Sequence, residues 1–342
     1  MPWDPKSVIA VVPNWLGDVA MCTPALRALR NRYPKARLSC VGRRPACDLL
    51  RGISWIDELV EMPHRPRPLA LLKHGVDLRH RRPDIAVLFP HSFRAAFVAR
   101  LAGAATRVGY ARDGRTALLT HRVQPHRVDG KVTPVYMACE YLDLVRKFGC
   151  EDDGRGLELA TDAMAVARVK EHLVGPSPVV GFAPGAAFGP SKQWPAERFA
   201  DVADKIHEAT GAQCVLLTGP GERDTHENVL NSASCPFATC DEGRPTIDSL
   251  KATISQLDLL VCNDSGPRHV AVAFDIPTIC VMGSTAPAYS EGPYERGEVI
   301  RIDVDCGPCQ KPVCAEDHRC MTGISAERVA QAAMTYLPKP RV

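Results

Sequence analysis

The feature that most constrains this chain is an alternation of short apolar strands with helical stretches, which occurs in both halves of the sequence. Such alternation is typical of parallel sheets with helices packed on their faces. It predicts strands at residues 7–12, 37–41, 58–62, 84–88 and 106–109, and again at 179–182, 214–218, 259–262 and 278–282. We therefore expect two α/β domains, each built on a parallel sheet.

The chain has 342 residues, which is long enough for about two domains. A polar stretch, a helical pattern and a break at Gly175 separate the halves, and we place the boundary between residues 168 and 169. Ligands of open α/β sheets bind beyond the carboxyl ends of the strands, so two such domains facing each other would share a cleft. The Arg- and Pro-rich stretch PHRPRPLALLKHG, residues 63–75, is interpreted as a loop.

Composition and hydropathy indicate the environment of the chain. Hydrophobic residues make up 45% and charged residues 24%, as in ordinary globular domains. No apolar run approaches the roughly 18 residues that a membrane-spanning helix needs, and residues 1–15 lack the basic stretch and apolar core of a signal peptide. Most of the 14 cysteines are scattered, several of them in apolar strand-like runs, where a free thiol packs as a small hydrophobe. We expect a cytoplasmic protein in a reducing compartment.

Charge is divided unevenly along the chain. The first 130 residues hold 22 Lys or Arg against 10 Asp or Glu, whereas the remaining residues hold 20 against 29. A basic first half favours an anionic partner: nucleic acid, a phosphorylated glycolipid or an anionic membrane surface. The alternative is a solvated basic face without a partner.

The stretch NWLGDVAMCTPALRAL, residues 14–29, raises the question of why a carboxylate stands in a glycine-bearing turn. An apolar strand precedes it, and the apolar spacing that starts at Cys22 predicts a helix after it. Gly17 and Asp18 are therefore expected in the turn at the carboxyl end of the first strand. A helix N-cap is the alternative role for Asp18.

The stretch NDSGPRHVAVAFDIPTICVMGST, residues 263–285, resembles a pyrophosphate site. It follows an apolar strand, and Asp264, Ser265 and Gly266 form a turn before a helix. Backbone N–H groups at a helix start bind anions, and the Ser265 hydroxyl and His269 would add donors. The alternative is a plain capping motif, with Asp or Ser at the N-cap.

Two further junctions point to the same kind of ligand. GFAPGAAFGPSKQWPAERF, residues 181–199, puts Lys192 after a loop of small residues that a ligand can approach closely. LLTGPGERD, residues 216–224, offers Glu222 to a ribose or a base, although a solvated glutamate fits equally. No G-x-G-x-x-G follows a strand, and no P-loop or G-x-S-x-G elbow occurs.

Four cysteines near the end of the chain form C-x2-C-x4-C-x5-C: Cys306, Cys309, Cys314 and Cys320. Four thiolates in so short a span would suit a tetrahedral zinc. Two local disulfides or four free thiols are the other interpretations. A structural role fits the segment better than a catalytic one.

The motifs together resemble those of the ADP-heptose:lipopolysaccharide heptosyltransferases, glycosyltransferase family 9. Five stretches carry the resemblance in the family's order: PNWLGDVAMCTPALRALR, SFRAAFVARLAGAATRVGYARDGRTALLTHRV, PGAAFGPSKQWPAERFADVA, NDSGPRHVAVAFDIPTICVMGSTAP and CGPCQKPVCAEDHRCM. The last looks most like the heptosyltransferase II branch. The resemblance implies a GT-B architecture of two Rossmann-like domains facing a cleft. Residues 1–168 would bind the acceptor, and residues 169–342, with the Cys-rich segment 306–320, would bind the nucleotide sugar.

The resemblance also implies roles for individual residues. Asp18 is implied as the general base, and Lys192 as a catalytic contact to the donor phosphates. The nucleotide-sugar residues would be Gly185, Lys192, Glu222, Asp264, Ser265, Gly266 and His269. The acceptor candidates are Asn14, Gly17, Arg94, Arg107 and Tyr110, since arginine suits forked recognition of carboxylate or phosphate.

The implied reaction is inverting transfer of a heptose from ADP-L-glycero-β-D-manno-heptose to the lipopolysaccharide inner core, with no cofactor required. We expect peripheral contact with the cytoplasmic face of the inner membrane and no nucleic-acid partner. The sequence departs from the family pattern at two places, so the identity of the donor sugar is less firmly implied than the nucleotide-sugar class. Arg268 stands where the family commonly has Met, and residues 186–188 lack hydroxyls. Arg268 would contact phosphate or face solvent. The alternatives are a glycosyltransferase or epimerase for another nucleotide sugar, and a non-enzymatic metal- and RNA-binding module.

Overall fold

The computed structural model describes residues 4–63, 67–173, 175, 177–240 and 245–337. The chain divides into two compact units, Met1–Ala160 and Thr161–Val342. The division precedes the sequence-based boundary at 168/169, which falls inside a helix. Among the described residues, no helix is both long and apolar enough to cross a bilayer.

The first unit is built on a six-stranded parallel sheet with the order β3-β2-β1-β4-β5-β6. Its strands are β1 Ser7–Val11, β2 Arg37–Gly42, β3 Glu58–Glu61, β4 Ile85–Leu88, β5 Thr106–Tyr110 and β6 His121–Val123, followed by the small hairpin of β7 Arg127–Val128 and β8 Lys131–Val132. Its helices are α1 Leu16–Met21, α2 Thr23–Arg32, α3 Arg44–Leu50, α4 Pro68–Asp77, α5 Phe93–Leu101 and α6 Met137–Arg146, with 3₁₀ turns at Leu78–Arg81 and Thr116–Leu118.

The second unit repeats the arrangement, with the sheet order β11-β10-β9-β12-β13-β14. Its strands are β9 Val179–Ala183, β10 Gln213–Leu216, β11 Phe237–Ala238, β12 Leu259–Asn263, β13 Thr278–Val281 and β14 Gly297–Ile300. Its helices are α7 Ala163–His172, α8 Ala196–Thr210, α9 Arg223–Ser232, α10 Ile247–Ile254, α11 Gly266–Ala273, α12 Arg319–Thr322 and α13 Ala326–Tyr336, with 3₁₀ turns at Pro190–Lys192 and Pro287–Tyr289.

The strand order has one functional consequence in each unit. In both sheets the order reverses between two central strands, β1 and β4 in the first and β9 and β12 in the second. Both pairs run parallel, so their carboxyl ends open at the same edge. The connections leave to opposite faces at this switch point, which makes the crevice where ligands of such sheets bind.

The predicted α/β fold with parallel sheets is confirmed, and each predicted strand lies within two residues of an observed one. Helix α8 ends at Gly211 in the left-handed conformation (φ 66°), as its apolar pattern predicts. Two local expectations were wrong. Helix α1 begins at Leu16, so Asp18 lies in its first turn rather than in a loop. Residues 68–77 form α4 instead of a loop, while residues 64–66 lie outside the described residues.

One buried arginine ties the end of the first unit to α2. The Arg27 guanidinium is almost fully buried and donates to both Asp153 carboxylate oxygens, at 2.7 and 2.6 Å. It also donates to Glu158 at 3.0 Å and to the Gly156 carbonyl at 2.9 Å. The hydrogen bonds from Arg27 lower the pKa of Asp153 to about 2, against the opposing effect of burial.

Removing this tether should destabilise the first unit. We expect Arg27→Met to cost about 3–5 kcal/mol of unfolding free energy at neutral pH, because it leaves two partly buried carboxylates without their buried cation. Asp153 has a depressed pKa in the folded state, so its contribution is complete above its unfolded pKa and is lost as pH falls from about 4 towards about 2. Urea unfolding over that range measures both effects.

Arg44→Met is the matched control, since Arg44 is exposed and only 3.7 Å from Asp48 in an i,i+4 pair. It should change stability by less than about 1 kcal/mol. Equal losses in the two variants would contradict the role given to Arg27.

Candidate functional site

The switch point of the second sheet is assembled by side chains that follow β9 and β12. Asn263, the last residue of β12, donates from Nδ2 to the Pro184 carbonyl at 2.6 Å and accepts the Trp194 N–H at 3.1 Å. It is fully buried. This amide therefore joins the β9 loop, which carries Lys192, to the turn that opens α11.

Asp264 holds Lys192 in place. The Lys192 ammonium donates to Asp264 Oδ2 at 2.6 Å and to the Asp264 carbonyl at 3.1 Å. The Thr285 hydroxyl donates to the same Oδ2 at 2.8 Å, and Arg268 donates to Oδ1 at 3.1 Å. Burial would raise the pKa of Asp264, but the two cations outweigh it and hold that pKa well below its usual range. Asp264 is thus a charged anchor whose oxygens are already engaged.

Arg268 is a second buried ion. The expectation that it faces solvent was wrong, since it is fully buried and paired with Glu295. Its Nε and Nη2 donate to the two Glu295 oxygens at 2.7 and 2.6 Å. Thr278 donates to Glu295 as well, at 2.6 Å. The pair supports Asp264 from the side opposite Lys192.

His269 is a neutral group in this environment. Burial, and then the neighbouring Arg268, lower its pKa to about 4 against the opposing effect of Asp264 and Glu295. At neutral pH its imidazole therefore carries no charge. It can donate or accept one hydrogen bond but cannot neutralise a phosphate.

We define the anion cradle as Lys192, Ser265 and the first turn of α11. Ser265 occupies the N-cap position of α11, yet its hydroxyl makes no cap hydrogen bond. Its Oγ is buried and has no partner. A buried hydroxyl without a partner costs free energy, and a helix start attracts anions. Both features favour an oxyanion of a ligand as the missing partner.

Gly185 and Glu222 meet beside the cradle. A Cβ at Gly185 would overlap the Glu222 carboxylate, so any other residue at this position would displace the end of the Glu222 side chain. Glu222 Oε2 also accepts the Gly219 N–H at 2.6 Å. The structure therefore brings together Gly185 with Glu222, and Lys192 with Asp264, Ser265, Gly266 and His269, at the loops that follow β9, β10 and β12.

The first unit offers its own switch point, between β1 and β4. Asp18 lies half-buried in the first turn of α1, after β1. It is not the N-cap, which is Trp15. Asn14 and Gly17 lie on the same connection, and Arg94 is exposed in α5, after β4. Burial, and then the nearby Asp18 charge, raise the pKa of Tyr141 well above its usual value.

The other two acceptor candidates lie elsewhere on β5. Arg107 is near the start of this strand, away from its carboxyl end, and donates to the carbonyls of Leu118 and Ala104 at 2.7 and 2.5 Å. Tyr110 is at the carboxyl end but is fully buried, and its hydroxyl donates to the Glu140 carbonyl at 3.0 Å. Both side chains are therefore engaged in hydrogen bonds within the first unit, and their assignment to acceptor binding stays a prediction.

The four clustered cysteines are free thiols. Burial raises the pKa of Cys320, and the thiols of Cys314, Cys306 and Cys309 raise it further, which shows that the four are neighbours. Among the described residues, however, no group of three or more His, Cys, Asp or Glu side chains is placed to hold a metal ion. The geometry therefore does not fit the tetrahedral zinc that the spacing favours.

Sequence reasoning missed the residues that support the site. Thr285 and Glu295 contact Asp264 and Arg268 from loops that follow β13. Arg115 is fully buried in the first unit and donates to the carbonyl of Tyr110 at 3.1 Å and to that of Pro90. The only available signal was the Gly-Ser-Thr stretch after β13, which ends at Thr285.

Comparisons with known proteins agree with this geometry. Residues 71–319 match the family described as Glycosyltransferase family 9 (heptosyltransferase). Lipopolysaccharide heptosyltransferase 2 of Escherichia coli K12 is 27% identical over 341 residues, which cover 95% of this chain and 96% of that protein.

Two solved structures share the fold. The E. coli ADP-heptose lps heptosyltransferase II has a TM-score of 0.80 at 24% identity, covering 96% of this chain and 98% of that one. A glycosyl transferase family 9 protein of Veillonella parvula has a TM-score of 0.88 at 23% identity, with 98% of both chains covered. The fold is therefore of the GT-B heptosyltransferase type.

Single and double substitutions of the buried Arg268–Glu295 pair should change the free energy of unfolding by non-additive amounts. We expect Arg268→Met to cost about 3–5 kcal/mol, because it leaves the buried Glu295 carboxylate without its partner. Adding Glu295→Gln should recover part of that loss, since glutamine still accepts the Thr278 hydroxyl and carries no charge. Urea unfolding of both variants and of Glu295→Gln alone measures the coupling. A double variant that loses the sum of the two single effects would contradict the pairing.

Proposed function

This chain belongs to glycosyltransferase family 9, the heptosyltransferase family, and on that premise we propose that it transfers a heptose from ADP-L-glycero-β-D-manno-heptose to the lipopolysaccharide inner core. The observation that carries the proposal is the anion cradle, where a held lysine and a buried, unpartnered hydroxyl meet at the second sheet's switch point. The proposed domain roles are nucleotide-sugar binding by the second unit and acceptor binding by the first.

The donor would bind with its pyrophosphate in the cradle. The N–H groups at the start of α11 and the Ser265 hydroxyl would donate to phosphate oxygens, and Lys192 would supply the positive charge. Lys192 is held between Asp264 and the Phe188 ring, whose centre lies 5.2 Å from Nζ. A donor already oriented before the reaction stabilises the charge that develops on the leaving group. Glu222, beside Gly185, is the proposed contact to the ribose or the base.

Asp18 is the proposed general base. Its carboxylate would take the proton of the acceptor hydroxyl as that oxygen forms a bond to the anomeric carbon of the heptose. The bond from the anomeric carbon to the pyrophosphate breaks in the same step, and ADP leaves with the electron pair. A single displacement of this kind inverts the configuration at the anomeric carbon.

The first unit would present the acceptor to this base. Arg94 follows β4, the strand adjacent to β1, and its exposed guanidinium suits a phosphate or carboxylate of the inner core. Asn14 and Gly17 would contact the acceptor from the connection that carries Asp18. We propose Arg107 and Tyr110 only as support for this edge. The proposed location is the cytoplasmic side of the inner membrane.

No step of this reaction is assigned to a metal or a cofactor. The displacement needs a base, an oriented donor and a stabilised leaving group, and each is supplied by a named side chain. A structural zinc on Cys306, Cys309, Cys314 and Cys320 would have to assemble from thiols that this geometry does not bring into a metal-holding group. It therefore carries no part of the proposed function.

Substituting Ser265 should affect ADP binding and the stability of the free protein differently. We expect Ser265→Ala to leave the melting temperature of the free protein unchanged or slightly raised, because it removes a buried hydroxyl that has no partner. The affinity for ADP should fall about ten- to a hundredfold. This fall corresponds to about 1.5–3 kcal/mol, the usual contribution of a hydrogen bond to a charged group. Calorimetry and thermal shift with ADP, against UDP, GDP and CDP, provide the measurement.

Ser7→Ala is the matched control, since the Ser7 hydroxyl in β1 is likewise buried and without a partner. It should leave ADP affinity unchanged. A wild-type protein that ADP does not stabilise would refute the donor assignment, and undiminished ADP binding by Ser265→Ala would refute the cradle.

Substituting Asp18 tests the base. We expect Asp18→Asn to lower kcat by about 10²–10⁴-fold, the usual contribution of general base catalysis, with ADP affinity unchanged. Asp129→Asn, in the exposed turn between β7 and β8 where asparagine tolerates the left-handed conformation, should retain full activity. Heptose transfer from ADP-heptose to a deacylated core acceptor measures both. Full activity of Asp18→Asn would remove Asp18 from the mechanism.

A further inference from the structure

Helix α4 has apolar residues on the face that the sheet does not cover. Its inner face packs through Gly75, where a Cβ would overlap the Leu101 side chain of α5. On the opposite face, Leu69, Leu72 and Val76 recur at helical spacing and are exposed, Leu69 to 79%. A helix that is apolar on both faces is normally covered on both. This face of α4 is therefore a candidate docking surface.

Helix α5, which packs against α4, also carries an exposed apolar side chain at its start. Phe93 is 52% exposed and stacks on Phe97, with ring centres 6.3 Å apart. A groove of about 460 Å³ lies between the helices and is lined by Leu71, Ser92, Phe93, Arg94 and Phe97. We call the exposed side chains of α4 and the start of α5, with this groove, the α4–α5 patch. Several large apolar groups exposed side by side indicate an interaction surface.

The charge around the patch identifies what covers it. Residues 67–82 and 92–101 hold seven Lys or Arg against one carboxylate, Asp77, and of the seven Arg81 is paired with Glu58 of β3. Arg67, Lys73 and Arg94 are exposed beside the apolar residues. Apolar side chains among cations match an anionic lipid surface, where the former enter the acyl boundary and the latter meet the headgroups.

We propose that the α4–α5 patch docks this unit on an anionic phospholipid bilayer. The inference rests on the proposed function for its purpose, because a core acceptor anchored by acyl chains is presented at such a surface. Arg94 belongs both to the groove and to the acceptor candidates, so docking would place the acceptor sugar near the edge formed by β1 and β4. The acceptor site and the membrane-docking surface would therefore lie next to each other on the first unit.

Vesicle flotation tests the docking surface. The wild-type protein should float with vesicles of equal parts phosphatidylcholine and phosphatidylglycerol, bind phosphatidylcholine alone weakly, and lose binding as salt rises. Leu69→Ser with Leu72→Ser should reduce partitioning about tenfold or more, because two leucines lose their insertion. Lys73→Ser should reduce it about fivefold, the equivalent of about 1 kcal/mol for one cation near the surface.

Matched controls come from the second unit. Met164→Ser removes an apolar side chain that is 66% exposed, and Arg168→Ser removes an exposed cation from the same helix, α7. Neither should change flotation. Far-ultraviolet circular dichroism and the ADP thermal shift establish that all variants fold.

Transfer assays separate this proposal from the proposed function. Patch variants should transfer heptose to a deacylated, water-soluble core acceptor at the wild-type rate and lose activity only on acceptor embedded in vesicles. Absent transfer by the wild type with intact flotation would refute the function and leave docking standing.

Four results would overturn the docking proposal. They are no flotation by the wild type, equal flotation by patch variants, equal binding to charged and neutral vesicles, and a wild-type dimer that Leu69→Ser dissociates. Equal binding to both vesicle types would assign the patch to acyl chains alone. The dimer would make it a contact between copies of this chain.

Discussion

The Asp264 carboxylate is the group on which the second unit's site depends. It is buried, and removing a carboxylate from water is tolerated only where cations and hydroxyls replace the lost hydration. Lys192, Arg268 and Thr285 supply that replacement, and each comes from a different segment of the chain. Because the buried Asp264 carboxylate needs these partners, it also fixes the position of Lys192 beside α11 before any ligand binds. Because the carboxylate has no free oxygen to offer, the vacant hydrogen-bonding capacity lies in Ser265 and the helix start, where an anion is attracted rather than repelled.

Both candidate sites follow from one property of parallel sheets. Where the strand order reverses, two loops leave to opposite faces and open a crevice at the carboxyl ends. In the second unit the crevice holds the anchored lysine and the unpartnered hydroxyl, which suit a phosphate. In the first unit it holds Asp18 and Arg94, which suit a proton and an anionic sugar. The two sheets thus offer the complementary chemistry that group transfer between an activated sugar and a hydroxyl requires.

The central strands were predictable because each is a run of apolar, β-branched residues between turn residues, a signal that survives without tertiary context. The edge strands β6, β11 and β14 were not predicted, since they are two to four residues long and include charged or half-exposed positions, whereas the equally short edge strand β3 was predicted. Lys192, Ser265 and Asp18 could be singled out from motifs, and Asp18 gained a catalytic role only through the family resemblance. Glu295 could not be found, because its partner Arg268 lies 27 residues away and only the fold brings them together. Three prolines between residues 63 and 68 led to α4 being interpreted as a loop, although proline at a helix start is favourable.

The cysteine segment contacts the loop that carries Lys192 through its backbone and through His318, whose Nε2 lies 3.0 Å from the Ser191 carbonyl oxygen. Ser191, beside Lys192, donates its N–H to the Pro312 carbonyl at 3.1 Å and its hydroxyl to the Lys311 carbonyl at 2.5 Å. Gln310 donates its N–H to the Ser284 carbonyl at 2.9 Å, and a Cβ at Gly189 would overlap the Pro312 carbonyl. These contacts press residues 310–312 against the loop that carries Lys192. The contacts of residues 310–312 use main-chain groups of the segment, whereas His318 uses its imidazole ring. The thiols, by contrast, lie in the flanking positions, and none of these contacts uses one.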